Sequence, residues 1–207
     1  MYYELATLTL PFGTAAQAAS RVEAFCKEAP QGELLACWFS DIGVLNQMLV
    51  LRGFATLEQL QAERLRVQAS DSPYGCGDLY QALVMDSYRG FPWKAPARPT
   101  AASGISGPVY EIRTYGIKPG GVEPTIALWE QYLPAREKLS PCVLAMVALD
   151  GEPRFTNIWA YPNLNARSQL RADAVAQGIW PPKGGPAHLS TRMVSTIALP
   201  TAVSPMK

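Results

Sequence analysis

The chain is predicted to be α+β, with two β-α-β-β-α-β (ferredoxin-like) units in tandem, packed sheet to sheet as an α+β barrel made within one chain. Three observations carry this prediction. The first is an internal repeat: Tyr3-Glu4-Leu5-Ala6-Thr7 returns as Tyr110-Glu111-Ile112-Arg113-Thr114, an offset of 107 residues. The same offset takes Gly13 to Gly120, Phe54 to Tyr161, Thr56 to Asn163, Leu57 to Leu164 and Arg64 to Arg171. A repeat held in one register decides the architecture before any single element does. The second is the break between the copies. Residues 89–108 (RGFPWKAPARPTAASGISGP) are dense in Pro, Gly, Ala and Ser and have no apolar period, which suits an extended connector. The third is that each copy runs through the same order of patterns. The expected division is therefore a first unit over 1–88, a linker over 89–108 and a second unit over 109–207.

The elements follow in turn. Residues 2–10 are rich in Tyr, Leu and Thr and predict a strand. A helix over 14–29 places Ala15, Ala19, Val22 and Cys26 on one stripe, the spacing of a buried helical face. Its repeat mates Val122, Ile126, Trp129 and Leu133 keep the stripe and enlarge the side chains. Pro134, late in that second helix, is expected to kink or end it. Two strands near 34–40 and 46–54, turning at Asp41-Ile42-Gly43, correspond to strands near 142–149 and 154–161 turning at Asp150-Gly151. Thr56 and Asn163 can each accept a hydrogen bond from a free first-turn N–H, so a helix is predicted after each. Strands near 80–88 and 190–198 close the copies. Such a unit lays two helices on one face of a four-stranded antiparallel sheet and leaves the other face bare. A second copy can cover that face, and two facing sheets would enclose a shared space.

Composition narrows the function classes. The net charge is +1 and no Lys or Arg block occurs, so no nucleic-acid partner is expected. No apolar run reaches bilayer length and the amino terminus enters a strand at once, so no membrane span is expected and the protein is expected to be cytoplasmic. Cys26, Cys37, Cys76 and Cys142 show no paired or zinc-ligand spacing and are expected to be free thiols. His188 is the single histidine, in a Pro- and Gly-rich loop, so no metal site is expected. No phosphate-binding glycine loop and no nucleophile turn is present, and no cofactor is expected.

The second copy reads Val109-Tyr110-Glu111-Ile112-Arg113-Thr114-Tyr115, then Lys118-Pro119-Gly120, Trp129, Pro134-Ala135-Arg136 and Asn157-Ile158-Trp159-Ala160-Tyr161. It resembles the NIPSNAP family, whose domains look like "YELRTYxLKPG…W…PxR…" followed by an "HLWxY" strand. The first copy is a weaker match, through Tyr3-Glu4-Leu5 and Gly43-Val44-Leu45-Asn46-Gln47. The resemblance implies the dimeric α+β barrel, a fold whose wider members include cofactor-free oxygenases and haem-degrading or haem-binding proteins. Asn157 and Val50 stand where the family often has His, Arg52 stands for the Trp, and Ala6 and Leu8 stand for the Arg and Tyr of the first strand.

Strand alternation assigns the candidate site. If Ile112 faces the helices, then Glu111, Arg113 and Tyr115 face the space between the sheets, and Asn157 and Trp159 share one side of their strand. The repeat adds Glu4 and Arg52, and Arg136 is expected at the pocket mouth or as a cation at its helix end. A few fixed polar groups among aromatic rings suit a small planar or aromatic metabolite, with cofactor-independent oxygenation as the chemistry the fold would allow. The alternative is a filled core and a non-enzymatic module that binds a protein partner. Homo-oligomerisation is left open.

Overall fold

The computed structural model describes residues 1–97 and 109–207. Most of the expected connector, 98–108, lies outside the described residues. The described residues form two compact units: Met1–Arg89 with Ala198–Lys207, and Gly90–Ile197.

The first unit contains β1 (Tyr2–Thr9), α1 (Ala15–Lys27), β2 (Glu33–Ile42), β3 (Gln47–Phe54), α2 (Leu57–Ala69) and β4 (Ala82–Gly90). Its antiparallel strands lie in the order β4-β1-β3-β2, with Glu4 opposite Arg52 and Ala6 opposite Val50. Ala19, Val22 and Cys26 of the α1 stripe are buried on Ala6, Leu8 and Val50, while Ala15 is half-buried. The Thr56 hydroxyl accepts from Gln59 N at 3.2 Å and starts α2 as an N-cap. Tyr74, fully buried in the 3-10 turn Pro73–Gly75, closes the space between α1 and the sheet against Phe25, its ring 5.5 Å away. The chain's last residues belong to this unit too: Ser204 Oγ accepts from Cys37 N, and Thr201 N donates to Cys37 O.

The second unit contains β5 (Val109–Ile117), α3 (Val122–Glu137), β6 (Cys142–Ala148), β7 (Arg154–Tyr161), α4 (Leu164–Ala176) and β8 (Leu189–Pro200, of which the last three residues fall in the first unit). Its order, β8-β5-β7-β6, repeats that of the first unit, and Glu111 faces Trp159 as Glu4 faces Arg52. Both copies interrupt their hairpin register at the same place, Leu34/Ala36 and Cys142/Leu144. Asn163 caps α4 by accepting from Ala166 N at 2.8 Å. Pro134 does not end α3, which continues to Glu137. Its missing N–H frees the carbonyl of Glu130 alone, and both residues are exposed, so water can satisfy it. Phe91 is buried against Trp129 and Phe155, and its N–H donates to Ala145 O, which fastens the start of the connector to this unit.

Candidate functional site

The sequence-based choice of sheet face is reversed in the structure. Glu111, Arg113 and Tyr115 face α3 and α4, as do Asn157 and Trp159; Ile112 lies on the opposite face. Three contacts fix this: Glu111 receives Arg167 of α4, Trp129 of α3 meets Trp159, and Tyr115 packs on Phe155 in the α3 core. Thr114 and Thr156, sharing a 2.8 Å hydrogen bond, stand on the other side. The reason for the error is physical. Both faces of β5 are buried, Tyr110 and Ile112 as well as Glu111, so an apolar side chain does not mark the helix side. The residues grouped by alternation do stay together; only the side they share is different.

Between the sheet and helices of the second unit lies a cavity of about 260 Å³. Five of the eight candidates line it: Arg113, Tyr115, Asn157, Trp159 and Arg136. Glu111 sits immediately behind them. Glu4 and Arg52 do not reach it, because they belong to the first unit. There Tyr74 donates to Glu4 Oε1 at 2.5 Å, and Arg52 Nη2 donates to Glu63 Oε2 at 3.1 Å and Gln31 O at 2.7 Å. That interior is occupied: Leu8, Met48 and Val50 stand at the positions of Tyr115, Phe155 and Asn157, with Tyr74 wedged above them.

Aromatic side chains form the cavity wall. Trp129 is edge-on to Trp180 (centroids 4.8 Å, 87°) and to Phe155 (5.2 Å, 79°), and Trp180 is edge-on to Trp159 at 6.1 Å. Such edge-to-face contacts match the positive ring edge to the negative ring face and hold each ring at a set angle. Trp159 is further fixed by its indole N–H, which donates to Asn157 Oδ1 at 2.8 Å, while Asn157 Nδ2 donates to Arg113 O at 3.2 Å. Trp180 comes from the segment between α4 and β8, held by its N–H to Ala174 O and, further on, by Lys118 N to His188 O. Pro181, Pro182, Pro186 and Leu189 of that segment line the cavity, and Met193 of β8 and Val175 of α4, both largely exposed, stand at its edge.

The charges are unevenly matched. Glu111 is fully buried, and its Oε1 accepts from Arg113, from Arg167 Nη2 at 2.6 Å and from Ser195 Oγ at 2.8 Å. Arg171 Nη1 is 3.7 Å from its Oε2. Burial alone would raise its pKa, but the Arg167 hydrogen bond, the Arg113 charge and the Ser195 hydroxyl outweigh that and hold it at about 2. Glu4, its repeat mate, goes the other way: burial raises its pKa, and the Tyr74 bond and the charges of Arg52 and Arg64 only partly compensate. Arg136 is buried rather than at the mouth, with its guanidinium 4.7 Å from the centroid of Trp159.

Sequence reasoning missed Trp180, Phe155, Arg167 and Arg171 as parts of the site. Arg167 and Arg171, one helical turn apart on α4, share a face, and that spacing was the available signal. His188, half-buried at the end of the 3-10 turn Gly185–His188, does not line the cavity. All four cysteines are free and buried, and burial lifts the thiols of Cys37 and Cys142 to about 12, far from a reactive thiolate. Among the described residues no cluster of His, Cys, Asp or Glu could hold a metal ion, and no helix is long and apolar enough to cross a membrane.

Three solved structures share the fold over almost the whole chain. A proposed monooxygenase from Lactobacillus acidophilus NCFM matches with a TM-score of 0.67 at 10% identity, covering 96% of this chain and 93% of that one. An anthrone oxidase-like protein matches at 0.62 and 11% identity, covering 100% and 94%. A chlorite dismutase from Candidatus Nitrospira defluvii, solved with imidazole, matches at 0.55 and 12% identity, covering 98% and 91%. The fold class is thus the predicted one, α+β with two ferredoxin-like halves, of the dimeric α+β barrel kind. The chain belongs to the NIPSNAP family, whose model matches residues 3–72 and 110–205, one stretch in each copy. No curated protein matches the sequence.

Proposed function

We propose that this NIPSNAP protein binds a small planar or aromatic metabolite in the second unit, between its sheet and its helices. The observation that carries the proposal is the cavity of about 260 Å³, walled by Trp129, Phe155, Trp159 and Trp180 and bordered by Arg113, Arg136 and Asn157. An apolar concavity with a few convergent polar groups is what a small-molecule site requires, and its size suits a ligand at the small end of that class. The contrast between copies supports the same reading. In the first unit the corresponding space carries Tyr74 and aliphatic residues, so one copy acts as scaffold and the other keeps the room.

Thermal-shift screening of the full chain against planar metabolites tests this, because a ligand of the folded state raises Tm by mass action. Hits should lose their shift in Trp159→Ala and in Arg113→Ala, both still folded by circular dichroism. Hits unaffected by either change would move the site elsewhere. Two of the neighbours carry names of oxygen chemistry, a proposed monooxygenase and an anthrone oxidase-like protein. For this chain oxygenation without a cofactor would require oxygen uptake that depends on a bound hit, measured at an electrode. Binding without uptake would leave a carrier or sensor.

A further inference from the structure

Resting on that pocket, we propose that its ligand is an anion: a planar aromatic body carrying one carboxylate, seated against Trp159 with the carboxylate on Arg136. Four guanidinium groups, those of Arg113, Arg136, Arg167 and Arg171, surround the cavity and its back wall, and a single carboxylate, Glu111, answers them. Three of the four spend their charge on Glu111. Arg136 does not: it forms no salt bridge among the described residues, and its Nη1 is buried without a hydrogen-bond partner. Its charged neighbour is another cation, Arg171, and the groups beside it are the Tyr161 hydroxyl and Cys142. The Tyr161 hydroxyl, buried beside that of Ser140, is a neutral neighbour of the guanidinium and leaves its Nη1 without an acceptor.

Arginine is 2% exposed at this position, and a buried cation without a counter-charge is costly. The face of Trp159 and the carboxyl end of α3 recover part of that cost. Neither these nor the single neutral Tyr161 hydroxyl supplies the paired, charged acceptor that a planar fork of N–H donors requires, and a carboxylate supplies two oxygens in the matching plane. The apolar wall of three tryptophans and Phe155 then sets the remainder of the ligand: flat and unsaturated, with no second charge. Asn157 is already committed to Trp159 and Arg113, so the guanidinium is the group left to recognise the head.

Matched probes test the proposal on the full chain. 2-Naphthoate and 2-naphthamide have the same body and differ in charge, and their affinities are compared by calorimetry at pH 7. Naphthoate should bind about 10- to 100-fold more tightly, the range of hydrogen bonds to charged groups. Arg136→Gln should bring the ratio of the two affinities to about 1, whereas Arg136→Lys should keep part of the discrimination. Arg171→Gln, at a side chain 38% exposed, should fold normally and lower naphthoate affinity about 3-fold, a rim effect that depends on salt. If Arg136→Gln does not fold, the ratio in the unaltered protein still decides. Equal binding of the two probes, or binding of neutral planar compounds only, would overturn the anionic assignment and leave the pocket standing. Failure of every planar compound, charged or neutral, would remove both.

Discussion

Replacing Glu111 by Gln tests the central electrostatic feature of the second unit. The side chain is fully buried, accepts three hydrogen bonds at one oxygen, and is the counter-charge for Arg113, Arg167 and Arg171. The amide keeps the shape and one acceptor but removes the charge. The cost can be worked from the titration of the group. An ordinary value of 4.5 brought to about 2 corresponds to about 3 kcal/mol at 1.36 kcal/mol per pH unit. Breaking a buried pair from one side costs about 3–5 kcal/mol by general experience, so the two figures agree. The pH dependence has a definite sign. Because the folded carboxyl titrates below the unfolded one, its contribution is complete above about pH 4.5 and is lost as pH falls toward 2. Urea unfolding of Glu111→Gln, followed by circular dichroism, should show about 3 kcal/mol less stability than the unaltered protein at pH 7. The gap should close between pH 4.5 and 2. A loss under 1 kcal/mol, or a gap constant across that window, would refute the view that the carboxylate neutralises the guanidinium cluster.

Four further changes have expected outcomes. Glu4→Gln should be neutral or stabilising at pH 7, since burial raises the pKa of that carboxyl and its charged form is a burden as pH rises; a loss comparable to Glu111→Gln in the same urea assay would contradict this. Tyr74→Ala should cost about 3–5 kcal/mol, because it empties the fully buried space beside Phe25 and removes the donor to Glu4; a small change in the unfolding midpoint would mean that the first unit is not held by this wedge. Thr56→Ala should cost about 1 kcal/mol through loss of the cap bond to Gln59 N, measured as a lowered Tm without change of ligand binding. Gly32→Ala should destabilise by more than about 1 kcal/mol, since φ is +80° and a Cβ would come within 2.3 Å of the Phe54 ring; an unshifted Tm would show that the turn can move aside.

The repeat and its periodicity determined a great deal without coordinates. Two copies in one register predicted that the same strand order would appear twice, and Glu4 opposite Arg52 mirrors Glu111 opposite Trp159. The helix stripes and the caps at Thr56 and Asn163 were equally legible, because they depend on neighbours three or four residues away. Alternation correctly grouped Glu111, Arg113 and Tyr115, and likewise Asn157 with Trp159, since side-chain period in a strand is a local property.

Which way those groups face was decided by tertiary structure. When both sides of a sheet are buried, apolar content cannot distinguish them, and Ile112 was as well suited to one side as to the other. Whether a space is filled is also a long-range matter. Tyr74, some seventy positions from Glu4, closes the first unit, while Trp180 approaches the second from the segment beyond α4 and leaves a cavity behind it. The match of charges has the same origin. Nothing near Arg136 in the chain shows that Glu111 is already shared by three other arginines, because only folding sets how many cations crowd one carboxylate and which of them is left over.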